Sequence, residues 1–175
     1  ERIQRGAAHD FGSVTLAVIA ALASDKAIGN RIYGEVWRSV RNLDEPYPEA
    51  REVLSHLRER FALGVIANQL PGSRERLGRF GFAPYFSVYA LSDELHVSKP
   101  DEAIFRHALR AANCRPEEAA MIGDRVDNDI IPAKRLGMRA IRVRRGLFMD
   151  QRFGDDLPDA VIGSLRDLVG LELLK

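Results

Sequence analysis

The sequence predicts an α/β fold, a parallel sheet covered by helices on both faces. Three observations carry this expectation. Downstream of residue 49, short apolar runs at 63–67, 86–91, 119–123 and 140–143 alternate with stretches of helical period. Strands of a parallel sheet are buried on both faces and read as continuous apolar runs, and strand–helix alternation signals crossover connections. The run Ala119-Ala120-Met121-Ile122 also passes straight into Gly123-Asp124, the kind of strand end beyond which parallel sheets hold their ligands. Finally, 175 residues that are 46% hydrophobic and 29% charged suffice for a buried core.

Taken in order, residues 1–12 suggest no element. Ser13 is placed to cap a helix from Val14 to Leu22, with Leu16, Ile19, Ala20 and Ala23 on one face. Ile32, Val36 and Trp37 suggest a second helix to about Val40, and Asn42 to Pro48 reads as a linker. Ala50, Val53, Leu54 and Leu57 mark an amphipathic helix closed by Arg58-Glu59-Arg60, followed by a buried strand Leu63–Ala67. A helix from about Pro71 carries Leu77 and Phe80 and ends near Gly81. Phe86–Leu91 is the next strand. Pro100 to Ala112 is a helix with Ile104, Phe105, Ala108 and Leu109 on one face. After strand 119–123 come a helix from about Asn128 to Leu136 and a strand Ala140–Val143. Residues 144–158 read as loop, Asp159–Ile162 as a short strand, and Ser164 as the cap of a closing helix containing Leu165 and Leu168.

Several function classes are disfavoured. A formal net charge of +1 gives no global field for nucleic acid or a membrane surface. No apolar run is long enough to span a bilayer, and no signal peptide is visible. The single cysteine, Cys114, allows no internal disulfide and suits a reducing, cytoplasmic setting. His9, His56, His96 and His107 show no ligand spacing.

The candidate chemistry lies at three strand ends. Asp124 leaves its strand where a site is expected and Asp129 follows about one helical turn later, so the pair can hold a hard cation such as Mg²⁺. The alternative is a Gly-Asp turn with Asp127 or Asn128 capping the next helix. Arg125 is either a partner of these carboxylates or a surface charge. Asn68-Gln69, beyond strand 63–67, can offer amides and backbone N–H groups to an anion, or can simply start a turn. Lys99 precedes Pro100, a residue favoured at the first helical position, so its ammonium sits where a phosphate is welcome, unless it is an ordinary solvated lysine.

Together, Ala67-Asn68, then Ser98-Lys99-Pro100-Asp101, then Met121-Ile122-Gly123-Asp124 through Asp129 resemble the haloacid dehalogenase (HAD) superfamily, in particular its phosphatase-like members with a helical cap. The resemblance covers roughly residues 46–145 and extends weakly upstream. It implies a Rossmann-like core over 46–175 and a partial helical cap over 1–45. It implies further that Lys99 balances charge on the nucleophilic aspartate and the phosphoryl group, that Asp124 and Asp129 bind Mg²⁺, and that Ala67 and Asn68 lie at the phosphate-contacting second motif. The reaction implied is attack by an aspartate on phosphorus, with water then hydrolysing the phospho-aspartyl enzyme. The substrate implied is a small phosphorylated metabolite.

Two departures qualify this expectation. The second motif usually presents Ser or Thr, and here the position is Ala67. No Asp-x-Asp follows an apolar strand near the N-terminus; Asp10 lacks the strand, and Asp25 follows a run of helical spacing. In the family the first-motif strand lies between the strands here ending at Ala67 and Gly123. Without it those two would stand roughly 10 Å apart with unpaired backbone between them. The nucleophile is therefore expected upstream of Glu1. A non-catalytic phosphate-binding protein on the same scaffold, and a metal-free haloacid dehalogenase, are the alternative functions. Substrate choice would rest with the cap, where Phe11, Tyr33 and Trp37 are pocket or core residues.

Overall fold

The computed structural model describes residue 31 and residues 45–69, 72–152, 154 and 158–174. The chain divides into two compact units, Glu1–Tyr47 and Pro48–Lys175. The two upstream helices expected at 14–22 and 32–40, together with Phe11, Tyr33 and Trp37, lie outside the described residues.

In the second unit the elements run in the order α1 (Ala50–Arg58), β1 (Gly64–Ala67), α2 (Ser73–Arg79), β2 (Val88–Leu91), α3 (Ser92–Leu95), α4 (Glu102–Ala111), β3 (Ala120–Gly123), α5 (Ile131–Arg135), β4 (Arg139–Val143) and β5 (Ala160–Ile162). Short 3-10 turns fill several connections, and Val126–Ile130 forms a π-helical turn ahead of α5. Every ladder is parallel. β1 pairs with β2 in a two-stranded sheet, and β3, β4 and β5 form a three-stranded sheet in that order. Among the described residues β1 and β3 thus each have one ladder neighbour.

That arrangement explains the burial of the strands. β4, flanked on both sides, buries Ala140, Ile141, Arg142 and Val143. β1 was expected to be buried, but its residues are half-buried or exposed, and in β3 only Met121 is fully covered. A strand with a single neighbour keeps one edge open, so apolar composition alone overstates its burial.

Helices cover both faces. On one, Ile104, Phe105, Ala108 and Leu109 of α4 pack with Val88 and Ala90 of β2, Met121 of β3, Ala140 of β4 and Ala133 of α5. This core spans the two sheets, since Ile66 of β1 packs against it as well. Fully burying side chains such as Ile104 and Phe105 stabilises by about 1.5–3 kcal/mol each. On the other face, Val53 and Leu57 of α1 meet Ile141, Val143, Ile162 and Leu168, with Leu63 and Ile122 at the margin. The sandwich predicted from alternation is present.

Several boundaries shift for local reasons. α4 begins at Glu102 rather than Pro100, because Asp101 is the cap and its carboxylate accepts from the Ala103 N–H at 2.8 Å. Pro100 precedes the cap in a turn, joined to Lys99 by a cis peptide bond. The expected helix 128–136 is a π turn followed by five residues of α-helix. The closing helix is 3-10, Leu165–Gly170, with Ser164 as its cap.

The start of β4 is held by Asp159. Its carboxylate accepts from Lys134 Nζ at 2.6 Å and from the Ala140 N–H at 2.7 Å. Burial raises its pKa, but these donors outweigh burial and leave it below the usual carboxylate value. A depressed carboxyl contributes stability that is present above its unfolded pKa and is lost as pH falls through the folded one. Asp159→Asn is therefore expected to lower stability at neutral pH and to flatten its decline on acidification below about pH 4. Urea melts at pH 7 and pH 3 measure this. A mutant penalty equally large at both pH values would contradict it.

Candidate active site

Three segments distant in sequence converge where β1 and β3 end. Asn68 follows β1, Lys99 precedes the cap of α4, and Gly123-Asp124 closes β3. The join between them is specific. The Asn68 amide donates from Nδ2 to the Lys99 carbonyl at 2.8 Å, and its Oδ1 accepts from the Lys99 N–H at 2.7 Å. A side-chain amide spent in this way on both backbone groups of one residue acts as a splint. The sequence offered Asn68 either to an anion or to a turn; the structure gives its amide to Lys99. The neighbouring Gln69 N–H donates to Ser92 Oγ at 2.9 Å, and that hydroxyl returns a bond to the Gln69 carbonyl at 3.1 Å. Ala67 is the last residue of β1, opposite Leu91, and presents a half-buried methyl where a hydroxyl is usual.

Lys99 is not a solvated surface lysine. Its side chain is 12% exposed, and Nζ lies 2.5 Å from Oδ1 of Asp129, itself 4% exposed. The second oxygen of Asp129 accepts from the Arg125 N–H at 3.0 Å. Asp129 reaches this position because the chain after Arg125 takes a wide turn: the N–H of Asp129 and that of Ile130 both bond to the Arg125 carbonyl. π turns of this kind are frequent at functional sites. The returning side chain then lies against Gly123. A Cβ added at Gly123 would meet Oδ2 of Asp129 at 2.4 Å and its Cβ and Cγ at 2.5 Å, so glycine is needed there for close approach.

Asp124 is half-buried. Its pKa is raised, first by burial and next by the charge of Asp129, against the lowering pull of a backbone hydrogen bond, Lys99 and Arg125. Of the two alternatives read in the sequence, Arg125 takes the first, a partner of the segment's carboxylates, with its backbone N–H on Asp129 and its guanidinium on Asp127. Its guanidinium forms a two-pronged bond to Asp127, at 3.1 and 2.6 Å, and lies 4.7 Å from the centre of the Phe148 ring. Asp127 and Asn128 do not cap the following turn, whose cap position is Arg125.

Sequence reasoning passed over the segment 144–158, of which Phe148, Met149 and Gln151 supply five contacts. Gln151 accepts from the Val126 N–H at 2.9 Å and donates to Asp127 Oδ1 at 2.9 Å. Phe148 provides the ring beneath Arg125. Arg142, opposite Gly123 in the β3–β4 register and 3% exposed, donates to the carbonyls of Phe148 and Met149 at 3.0 and 3.2 Å. A buried arginine in the middle of an apolar strand was the available signal.

The donor chemistry fits a hard divalent cation. Asp124 and Asp129 are oxygen donors, and the pair carries more negative charge than Lys99 alone balances. Among the described residues no group of three or more His, Cys, Asp or Glu side chains gathers to form a full metal cage. Mg²⁺ is commonly held by one or two carboxylates with waters and substrate phosphate completing its shell. His56 and His96 are exposed, and His9 lies outside the described residues.

The class defined by this arrangement is a parallel α/β sandwich with a lysine and two aspartates gathered at its strand ends. A sequence model of the haloacid dehalogenase-like hydrolases matches residues 2–137, and the chain belongs to that family. Over 129 residues it is 40% identical to a glyceraldehyde 3-phosphate phosphatase of Methanopyrus kandleri, covering 71% of this chain and 55% of that protein. Over 130 residues it is 40% identical to a phosphoserine phosphatase of Thermus thermophilus, covering 73% and 51%. The chain thus spans about half the length of these curated relatives. Among solved structures, a 2-haloacid dehalogenase from Pseudomonas syringae pv. Tomato DC3000 superposes with a TM-score of 0.65 at 30% identity, covering 90% of this chain and 67% of that one. No helix among the described residues is long and apolar enough to cross a membrane.

Proposed function

We propose that the chain carries the phosphoryl-transfer site of a Mg²⁺-dependent phosphatase acting on a small phosphorylated metabolite in the cytoplasm, through a phospho-aspartyl intermediate. The observation that carries this reading is the Lys99–Asp129 ion pair beside Asp124. It gathers a cation and two acids from separate segments at the end of a parallel sheet. In this reading Asp124 and Asp129 hold the metal. When bound, Mg²⁺ would neutralise charge on the phosphoryl oxygens. Lys99 offers its ammonium as a point charge to the same oxygens while restraining Asp129. Asn68 fixes the main chain of Lys99 and thereby sets where the ammonium starts. Ala67 contributes backbone alone, so the phosphoryl group loses one hydroxyl contact relative to the family pattern. The attacking aspartate belongs to the family's first motif and is not assigned to any described residue.

The two curated relatives act on a three-carbon sugar phosphate and on a phosphorylated amino acid by their names, which supports a small phosphomonoester as the substrate class. The expected result is phosphate release from such esters, in the presence of Mg²⁺, by the protein that carries this site together with the first-motif aspartate. It should be abolished by EDTA and reduced on the order of a hundredfold or more in Asp124→Ala. Calorimetric titration with Mg²⁺ and inorganic phosphate separates the non-catalytic alternative, which predicts binding without turnover. The likeness to a dehalogenase structure supports a second reading on the same scaffold. Chloride release from 2-chloropropionate without added metal, and no phosphate release, would replace the first reading by the second.

A further inference from the structure

The acidic segment 124–129 is not held by its own strand alone. β4 buries Arg142, whose guanidinium holds the carbonyls of Phe148 and Met149, and so fixes the loop that follows the strand. That loop then grips the acidic segment at two points: the Phe148 ring lies under the Arg125 guanidinium, and Gln151 binds both the Val126 N–H and the Asp127 carboxylate. Val126 opens the π turn, and the first N–H groups of any helical turn have no partner within it. Gln151 supplies that partner from 25 residues away in sequence.

We propose that Gln151 is a positioning residue that sets the affinity of the acidic segment for its metal. It does so by fixing the start of the turn that delivers Asp129, while its bond to Asp127 holds the carboxylate that the Arg125 guanidinium also grips. The inference rests on the Mg²⁺ reading above, and it concerns how the ligands are held rather than which they are. Side chains that orient metal ligands without touching the metal commonly change affinity by roughly ten- to a hundredfold when removed.

The test pairs amide exchange at Val126 in the metal-free protein, followed by NMR, with calorimetric Mg²⁺ titration and a melting temperature. For Gln151→Ala, exchange at Val126 is expected to quicken about fivefold, the equivalent of one lost hydrogen bond. Mg²⁺ should bind roughly tenfold more weakly, with the melting temperature near that of the parent. In an Asp127→Asn background, which removes the like charge that Glu would face, Gln151→Glu keeps an oxygen for the Val126 N–H and should restore its protection. Unchanged exchange at Val126, or faster exchange with unchanged Mg²⁺ affinity, overturns the proposal. A fall in melting temperature with faster exchange throughout the core also overturns it, assigning Gln151 a merely structural role. If the parent protein itself binds no Mg²⁺, the metal reading fails, and the Val126 exchange still decides whether Gln151 holds the turn.

Discussion

Lys99→Met is expected to destabilise the fold by about 3–5 kcal/mol as well as to remove activity. The reason is what it leaves behind. Asp129 is 3% exposed, and without the ammonium at 2.5 Å its charge is buried against a single backbone N–H. Breaking a buried pair by removing one partner is far more damaging than removing both, because the survivor keeps its desolvation penalty. Lys99→Met combined with Asp129→Asn should therefore recover much of the lost stability while activity stays absent. Urea denaturation followed by circular dichroism gives the double-mutant cycle. A Lys99→Met protein as stable as the parent would mean that water already solvates Asp129. Saturating Mg²⁺ should narrow the gap, since a cation beside Asp124 offers Asp129 a second source of positive charge.

Gly123→Ala is the second large effect. The added methyl lies 2.4 to 2.5 Å from three atoms of Asp129, and two of these are on the stem of the side chain rather than its tip. A rotamer change cannot clear the Cβ contact, so either the π turn or the end of β3 has to move. Overpacking of this kind typically costs about 1–3 kcal/mol. Displacing a catalytic group by about 1 Å can cost on the order of a hundredfold in rate. The expected outcome is a folded protein with weakened Mg²⁺ binding and at least that loss of phosphate release. Gly163, whose added Cβ would meet nothing within 4 Å, provides the control: Gly163→Ala should leave activity unchanged. Full activity in Gly123→Ala would show that Asp129 need not sit where it does.

What could be read from sequence was what local chemistry determines. The strand runs, the face of α4 given by Ile104, Phe105, Ala108 and Leu109, and the Ser164 cap all follow from periodicity and propensity over a few residues. Lys99, Asp124 and Asp129 were legible as candidates because each sits beside a strong punctuation mark, a proline or a Gly-Asp turn. What could not be read depends on partners far along the chain. Asn68 differs from a generic turn former only through Lys99, 31 residues on. Gln151 gains its contacts only once β4 and β3 are side by side. The half-burial of β1 was missed for the same reason, as an apolar run does not reveal how many neighbours its strand will have.

The splint between Asn68 and Lys99 separates two duties that a single residue usually combines. The path of the polypeptide at position 99 is set by an amide borrowed from another strand, whereas the charge is delivered by the side chain alone. At position 99 the main chain is thus anchored independently of the side chain, so Lys99→Met loses the ion pair to Asp129 without losing the splint. At position 68 the side chain itself makes the splint: aspartate would lose the donor to the Lys99 carbonyl, and leucine would lose both bonds. The asparagine holds the backbone and the lysine holds the buried charge, so the two contributions fall to two side chains that mutation can remove one at a time.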